Sequence, residues 1–326
     1  MKVLVIQTAF IGDAILSTSI LETLKAADEI SEIHLLVRKG NESLFQDHPF
    51  LAQLHVWDKK AGKYSELRKL AREIRKQQFD CVFNLQRFGS TGWLTWRSGA
   101  SRKVGFAKNP FSWTFDVKVD HPIAKKGETG LHEIERNHAM LAGITNTPMG
   151  PMKLYPGDQD FQKVEPFVQT PFVTMSPASV WFTKQLPLEQ WANLMDQIPE
   201  VQIYLLGGPG DEELCQRLAG DRANVKVLAG ELSLLQSAAL MSKAQMNYVN
   251  DSAPLHLCSA MCAPVTAFFC STIPEFGFGP RSNQSVIAQT TEDLECRPCG
   301  LHGLKACPKG HFKCGTTIDV GQYLPS

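Results

Sequence analysis

The sequence predicts an α/β protein built from two doubly wound parallel-sheet domains. Short apolar runs alternate with amphipathic stretches along most of the chain. Continuous apolar strands between helices are typical of parallel sheets that helices cover on both faces. The same alternation occurs in each half of the chain, and 326 residues accommodate two domains, each with its own core.

The first half of the chain contains four predicted strands and three predicted helices. The strands are Val3–Ile6, Ile33–Val37, Leu54–Trp57 and Asp80–Asn84. The helices are Ala14–Lys25, Tyr64–Gln77 and Leu131–Ala142. A polar turn, Thr8–Asp13, separates the first strand from the first helix.

The second half repeats this rhythm after a linker. Its predicted strands are Phe172–Met175, Gln202–Leu206, Val225–Leu228, Met246–Val249 and Val265–Phe269. Its predicted helices are Leu188–Gln197, Asp211–Leu218, Leu234–Ser242 and Ser252–Met261. Thr147–Asp160 holds three prolines and two glycines and interrupts the alternation, as a linker does. The predicted domains are therefore residues 1–150 and 151–326, facing an interdomain cleft.

Two of the predicted strand-to-helix turns carry an aspartate. One is the turn that ends at Asp13, and the other contains Asp251 within Asn250–His256. Such a turn directs helix N-terminal amides and polar side chains into a crevice, where an anionic ligand binds. The two turns therefore predict two half-sites, one in each domain.

The charge distribution limits the function classes. The chain has 33 Lys plus Arg and 33 Asp plus Glu, so a formal net charge of zero argues against a dedicated nucleic-acid binder. Residues 59–108, however, contain thirteen basic residues and three acidic ones. An exposed basic region of this kind attracts anionic substrates or anionic membrane surfaces.

The sequence predicts a cytoplasmic protein. No apolar stretch approaches the ~20 residues of a transmembrane helix, and no small-residue cleavage pattern follows the N-terminal apolar run. The nine cysteines are an odd number. Five of them lie in apolar segments, where burial is expected, and this use of cysteine fits a reducing compartment. The five are Cys81, Cys215, Cys258, Cys262 and Cys270.

Several separated motifs cover most of the chain. They are Gly12-Asp13 followed by Ala14-Ile15-Leu16-Ser17-Thr18; Ser176-Pro177-Ala178-Ser179 with Thr183-Lys184 and Pro187; Asn250-Asp251-Ser252 with His256; and Phe268-Phe269-Cys270-Ser271-Thr272 with Pro274 and Gly279-Pro280. In order and spacing they resemble glycosyltransferase family 9, the lipopolysaccharide heptosyltransferases. The tail from Cys296 to Cys314 is similar to the heptosyltransferase II branch. The resemblance implies the GT-B fold, with an acceptor-binding first domain and a donor-binding second domain, both Rossmann-like.

Asp13 is the leading candidate for catalysis. The resemblance implies that it acts as general base on the acceptor hydroxyl in an inverting reaction. The chemistry requires such a group, because a sugar hydroxyl becomes a competent nucleophile only as its proton leaves. From its position alone, Asp13 also fits a cap for the helix that is predicted to begin at Ala14.

Lys184 is the second catalytic candidate. Its ammonium and nearby helix-start amides would stabilise the leaving diphosphate, so that the chemistry needs no metal. A solvated lysine beside a helix is the plainer interpretation. Val180 stands where the family often has a small hydroxyl residue. The predicted donor-binding residues are Ser179, Thr183, Lys184, Glu212, Asp251, Ser252, Ala253 and His256.

Some donor-binding residues have equally ordinary structural interpretations. Glu212 resembles the acid that binds the nucleotide ribose, but it also suits the dipole of a helix N-terminus. His256 is a candidate hydrogen-bond donor to the diphosphate or a core histidine. Pro254 lacks an N–H, which the first turn of a helix does not need.

The spacing of the tail cysteines Cys296, Cys299, Cys307 and Cys314 suggests a structural zinc site, but its middle interval is shorter than in common zinc ribbons, so free thiols or a labile disulfide are the favoured alternatives. Arg87, Arg97, Arg102 and Lys103 lie near Trp93 and Trp96. The resemblance implies a phosphorylated, carboxylate-rich acceptor in this domain, and guanidinium groups suit such anions. A solvated basic helix face is the alternative.

The predicted function is transfer of a heptose from ADP-heptose to the lipopolysaccharide inner core, by a peripheral protein at the cytoplasmic face of the inner membrane. One alternative keeps the chemistry but changes the nucleotide sugar or the acceptor. The other is an inactive nucleotide-binding protein, against which Asp13, Lys184 and Asp251 argue. We also expect the cleft to close when donor and acceptor bind, which would exclude water.

Overall fold

The structure, a computed structural model, describes residues 1–325, apart from the side chain of Lys63. The chain forms two compact units. The first unit comprises Met1–Pro122 and Leu131–Tyr155, and the second comprises Ile123–Gly130 and the chain from Pro156 onward. The boundary at Tyr155 lies within the predicted linker, whereas nothing in the sequence separated Ile123–Gly130 from its neighbours.

The first unit contains a six-stranded parallel sheet within the described residues. Its strands are β1 (Lys2–Gln7), β2 (Glu32–Arg38), β3 (Leu51–Trp57), β4 (Cys81–Asn84), β5 (Arg102–Phe106) and β6 (Val117–Val119), in the order β3-β2-β1-β4-β5-β6. The helices are α1 (Ile11–Leu16), α2 (Thr18–Ala26), α3 (Lys63–Lys76), α4 (Gly89–Arg97) and α5 (Glu133–His138).

The second unit has a sheet of the same design. Its strands are β7 (Phe172–Ser176), β8 (Gln202–Leu205), β9 (Val225–Val227), β10 (Met246–Asn250), β11 (Val265–Phe269) and β12 (Ser285–Gln289), in the order β12-β11-β10-β7-β8-β9. The helices are α6 (Asp158–Val164), α7 (Leu188–Asp196), α8 (Glu212–Ala219), α9 (Leu234–Met241), α10 (Ala253–Ala260) and α11 (Lys313–Thr316).

The strand order reverses once in each sheet, between β1 and β4 in the first unit and between β7 and β10 in the second. Parallel α/β sheets bind ligands outside the carboxyl ends of their strands at such a switch point. The topology therefore directs attention to the turns that follow these four strands.

Each unit has its own hydrophobic core. In the first, Leu4, Ile6 and Leu36 of the sheet pack with Leu70 and Ile74 of α3. In the second, Trp191 is fully buried and meets Phe268 edge to face, with ring centroids 5.2 Å apart. Burial of these faces explains why the apolar strands were recognisable from the sequence.

The elements that the sequence did not predict carry weak signals. Strand β5 begins with two basic residues and contains Gly105, β6 has three residues, and β12 is an edge strand whose first three residues are exposed. Helix α4 reads Gly-Ser-Thr-Gly-Trp-Leu-Thr-Trp-Arg, which has low intrinsic helix propensity. Burial of Thr91, Leu94 and Thr95 nevertheless makes it helical, since tertiary packing outweighs propensity.

The first predicted helix is broken in two. Helix α1 begins at Ile11 rather than Ala14, because the amide of Ala14 already donates to the carbonyl of Phe10 at 3.1 Å. The Ser17 and Thr18 hydroxyls donate back to the carbonyls of Ala14 and Ile15, each at 2.7 Å. Such local bonds compete with the helix backbone and interrupt it.

Three smaller expectations were also inaccurate. The helix predicted over Leu131–Ala142 is limited to α5, followed by a single tighter turn. The predicted linker gives way to α6 at Asp158. Cys262 is exposed rather than buried, because α10 ends at Ala260 and Cys262 takes a left-handed φ of 51° in the turn that follows.

Candidate active site

An ion pair lies at the switch point of the second unit. Lys184 follows β7, Asp251 follows β10, and the Lys184 Nζ atom lies 2.8 Å from Asp251 Oδ2. The hydroxyl of Thr272, which follows β11, donates to the same carboxylate oxygen at 2.6 Å. The side chain of Asp251 is 6% exposed and that of Lys184 is 16% exposed. Three strand ends thus contribute to one partly enclosed charged site.

Asn250 fixes the geometry of this site and was not among the predicted site residues. Its side-chain oxygen accepts from the Leu186 amide at 2.8 Å, and its side-chain nitrogen donates to the Pro177 carbonyl at 2.8 Å. Asn250 is fully buried. It therefore joins the end of β10 to the loop that carries Lys184. The sequence signal was its position directly before Asp251.

Helix α10 begins beside the ion pair. Ser252 is its N-cap residue, and Ala253 and Pro254 are its first two residues. Pro254 thus occupies a first-turn position, where its missing N–H leaves no helical bond unmade, as expected. The free amides of a helix start are suited to an anionic group. His256 is 5% exposed, and its predicted contact with a diphosphate stays a prediction.

The other predicted donor-binding residues lie in different surroundings. Ser179 is half-buried in the loop after β7. Thr183 is 1% exposed, and its hydroxyl oxygen accepts from the Leu304 amide at 2.8 Å and from the Ser271 hydroxyl at 2.9 Å. Its hydroxyl is therefore already engaged inside the protein. Glu212 is exposed at the start of α8, after β8, and its contact with ribose stays a prediction.

Asp13 lies at the switch point of the first unit. It is half-buried and is the third residue of α1, whose N-cap residue is Phe10. The preceding turn is held firmly, because Asn41 donates to the Ala9 carbonyl at 3.0 Å and Lys59 to the Thr8 carbonyl at 2.7 Å. A carboxylate held on a fixed turn is suited to accept a proton.

Aromatic and basic residues surround this edge of the first sheet. Phe10 and Phe88, the N-cap residues of α1 and α4, are 60% and 63% exposed. Arg87 precedes Phe88 at the same edge, since β4 ends at Asn84. Arg102 and Lys103 lie at the opposite edge, because they begin β5. They bond to the Gly143 carbonyl at 3.1 Å and to Asp116 at 3.5 Å, so they are structural contacts.

Helices α3 and α4 form a basic surface cavity, which we call the Arg–Trp groove. Its volume is about 420 Å³. It is lined by Arg68, Ala71, Arg72, Arg75, Trp93, Trp96 and Arg97. Across the part of the chain that the structure describes, its four arginines form no ion pair with a carboxylate. Their charge therefore remains available to an external anion.

The tail cysteines are the candidate zinc ligands. Among residues 1–325, no three His, Cys, Asp or Glu side chains are grouped so that they could hold a metal ion. Cys296 Sγ lies 3.9 Å from His311 Nε2, and Cys314 is buried. Burial raises the pKa of the Cys314 thiol to about 11. The zinc site stays a prediction, which elemental analysis would test.

In the same described range, every helix is too short or too polar to cross a membrane.

Known proteins that resemble this chain in sequence or in structure include glycosyltransferases. A putative glycosyltransferase of Haemophilus influenzae is 24% identical, over 87% of this chain and 84% of the relative. Lipopolysaccharide heptosyltransferase 3 of Escherichia coli is 23% identical over 80% of each chain. A glycosyl transferase family 9 structure from Veillonella parvula has a TM-score of 0.78 at 24% identity, over 88% of this chain and 85% of that one.

The structure of the Escherichia coli ADP-heptose lipopolysaccharide heptosyltransferase II has a TM-score of 0.76 at 21% identity, over 92% of this chain and 96% of that one. The fold and these relatives define the class of the protein: it is an enzyme, a glycosyltransferase of the GT-B fold. More specifically, the model of the family described as "Glycosyltransferase family 9 (heptosyltransferase)" matches residues 67–303, and the chain belongs to that family.

Proposed function

We propose that this enzyme transfers a heptose from ADP-heptose to a hydroxyl of the lipopolysaccharide inner core, with inversion at the anomeric carbon. The observation that carries the proposal is the Lys184–Asp251 pair at the β7/β10 switch point, beside the start of α10. A cation and free helix amides at such a point suit a nucleotide diphosphate. The names of the heptosyltransferase relatives support the choice of donor and acceptor.

The proposed chemistry assigns one task to each group. As the acceptor oxygen bonds to the anomeric carbon, its proton passes to Asp13 and the bond to ADP breaks. Negative charge then collects on the diphosphate, where Lys184 and the α10 amides stabilise it. Asp251 fixes the ammonium of Lys184 at 2.8 Å, and its carboxylate is placed to accept hydrogen bonds from sugar hydroxyls rather than from phosphate, which it would repel.

The first test is a thermal-shift comparison of ADP, UDP and GDP, followed by ADP-heptose. Only ADP and its sugar should stabilise the protein, because a ligand that binds the folded state raises its unfolding temperature. Lys184→Ala should weaken ADP binding about tenfold or more, as expected for a lost charged hydrogen bond. Lys226→Ala, which removes a lysine from β9, is the matched control. Stabilisation by UDP or GDP instead would assign the enzyme another donor.

The acceptor is proposed to lie against the first unit. Arg87 provides a guanidinium for phosphate or carboxylate, and the exposed rings of Phe10 and Phe88 provide apolar surfaces for sugar faces. Activity with a defined lipopolysaccharide acceptor would test this. Arg87→Ala should raise the acceptor KM and leave ADP affinity unchanged. Equal losses of ADP affinity in Arg87→Ala and Lys184→Ala would show that the nucleotide has been placed in the wrong unit.

We also propose peripheral contact with the anionic inner membrane surface through the Arg–Trp groove. Unpaired arginines attract anionic headgroups, and tryptophan is favoured at membrane interfaces. The purified protein should sediment with phosphatidylglycerol vesicles but not with phosphatidylcholine vesicles, and the binding should weaken in salt. Arg72→Glu with Arg97→Glu should abolish it. Arg217→Glu, at an exposed position of α8, is the control. Binding that survives the double substitution would exclude this surface.

A further inference from the structure

The C-terminal tail covers the loop that carries Lys184. We define the tail loop as residues 297–304. The amide of Thr183 donates to the Leu304 carbonyl at 3.1 Å, and the amide of Leu304 donates to the Thr183 hydroxyl at 2.8 Å. The amide of Cys299 donates to the Ser271 carbonyl at 2.9 Å, and the amide of Ser271 donates to the Thr183 carbonyl at 3.2 Å. The tail loop is thus joined by backbone bonds to the residue before Lys184.

Arg297 anchors the tail loop to the sheet. Its guanidinium donates to the carbonyls of Cys270, Phe269 and Thr272 at 2.7, 3.1 and 2.8 Å. Arg297 is 8% exposed, and burial lowers the pKa of its guanidinium. A buried cation that fills three carbonyl acceptors fixes the backbone around it. The tail loop therefore starts from a fixed point directly beyond β11.

Gly303 lies against the side chain of Lys184. Its φ is 75°, and a Cβ placed on it would lie 2.8 Å from Lys184 Cγ and 3.3 Å from Lys184 Cδ. It would also lie 3.2 Å from the Thr183 hydroxyl oxygen. The aliphatic stem of Lys184 is therefore packed directly on the Gly303 backbone, a contact that only glycine permits.

We propose that Gly303 is a positioning residue for Lys184. The tail loop forms a wall behind the lysine stem and keeps the ammonium directed at Asp251 and at the diphosphate. This role rests on the proposed function, in which Lys184 binds the donor diphosphate. A side chain at position 303 would displace the stem, so that the ammonium would meet the phosphate at a longer distance or a poorer angle.

Two other glycines of the tail provide matched controls. Gly300 and Gly310 have φ values of 84° and 73°, and a Cβ on either would meet nothing within 4 Å. Gly300→Ala and Gly310→Ala therefore introduce the same kind of backbone strain as Gly303→Ala without touching the lysine. Calorimetry with ADP on the three full-length variants separates the two effects. Gly303→Ala should raise the ADP Kd about tenfold, as for an impaired charged hydrogen bond, and the controls should not.

A double-substitution cycle tests whether Gly303 acts through Lys184. In the Lys184→Ala background, Gly303→Ala should cause no further loss of ADP affinity, because the group it positions is gone. Thr183→Val, which keeps the shape but removes the hydroxyl that the tail loop binds, gives a second variant if Gly303→Ala folds poorly. Like Gly303→Ala, it should raise the ADP Kd.

The outcomes distinguish this inference from the proposed function. If the wild-type protein binds ADP and Lys184→Ala weakens it, but Gly303→Ala binds ADP like Gly300→Ala, the positioning role is wrong and the proposed function stands. An undiminished effect of Gly303→Ala in the Lys184→Ala background would likewise overturn it. If the wild-type protein does not bind ADP at all, the proposed function fails and the role of Gly303 fails with it.

Discussion

At the residue scale, charged side chains in the protein's interior form ion pairs with partners whose positions the backbone fixes. Lys184 and Asp251 pair at 2.8 Å across two strand ends, and Asn250 behind them joins those ends. In the first unit, Glu133 accepts from His121 at 3.0 Å and from Arg136 at 2.8 Å. Although burial opposes its ionisation, the hydrogen bond to His121 and the charge of Arg136 hold the pKa of Glu133 below its ordinary value.

Asp13→Asn should reduce turnover by at least about a hundredfold and leave the ADP Kd close to that of the wild-type protein. The amide keeps the shape of the carboxylate but cannot accept the acceptor proton, so the loss affects the transition state and not donor binding. Steady-state kinetics with calorimetry of ADP would measure both quantities. Near-normal turnover in this variant would contradict the general-base role.

Glu133→Gln should lower the free energy of unfolding by about 3 kcal/mol or more, because it leaves the fully buried Arg136 cation without its carboxylate. Asp196→Asn is a matched comparison: Arg222 donates to Asp196 at the same 2.8 Å, but the Asp196 side chain is 60% exposed. Solvent screening limits that loss to about 1 kcal/mol at most. Denaturant titration of both variants would test the contrast, and equal losses would refute it.

At the scale of elements, short segments depend on the packing of their neighbours. Helix α4 exists because four of its residues are buried, and α1 ends where the Ser17 and Thr18 hydroxyls donate to carbonyls of the preceding turn. The segment before β3 is held by an aromatic cluster. The centroid of the His48 ring lies 4.5 Å from that of Phe50 and 4.9 Å from that of Tyr155.

This aromatic cluster makes the first unit sensitive to acid. Burial lowers the pKa of His48 from 6.5 to about 4. Above pH 6.5 the ring is neutral in both states and its contribution to stability is complete. As the pH falls, the unfolded chain takes up the proton first, so this contribution is lost progressively until the folded ring protonates near pH 4.

The midpoint temperature of thermal unfolding should therefore fall between pH 7 and pH 4. The fall should be smaller in His48→Phe, which keeps the ring packing and removes the titrating group. The pKa of His55 is also lowered to about 4, mainly by burial, so part of the slope should remain. An identical slope in His48→Phe would exclude His48 as its source.

At the scale of the whole molecule, two units repeat one strand order, and each carries its own half of the proposed chemistry. Asp13 follows β1 in the first unit, and Lys184 and Asp251 follow β7 and β10 in the second. The closure of a cleft around donor and acceptor stays a prediction.

Hydrogen exchange with and without ADP would test the division of labour. ADP should slow exchange in residues 176–186 and 250–256, where the proposed donor site lies, and in the tail loop joined to it. Exchange in α3 and α4, the helices that form the Arg–Trp groove, should not change, because both lie in the first unit and the proposed donor site lies in the second. Strong protection of α3 without protection of 250–256 would move the nucleotide to the first unit.

The sequence by itself determined the α/β class, the two repeated sheets, the two aspartate turns and the family. These properties are local, since a buried parallel strand appears as an apolar run and a turn appears as a short polar motif. The family motifs identified Asp13, Lys184 and Asp251 for the same reason. The roles of these residues in catalysis and donor binding are still predictions.

Only the tertiary structure decided which side chains meet. The pairing of Lys184 with Asp251, residues 67 positions apart in the printed sequence, follows from the strand order, which brings β7 beside β10. The packing of Gly303 on the lysine stem and the hold of Arg297 on three carbonyls depend on a tail without regular periodicity. Such contacts join residues that are far apart in the sequence, so no local sequence pattern predicts them.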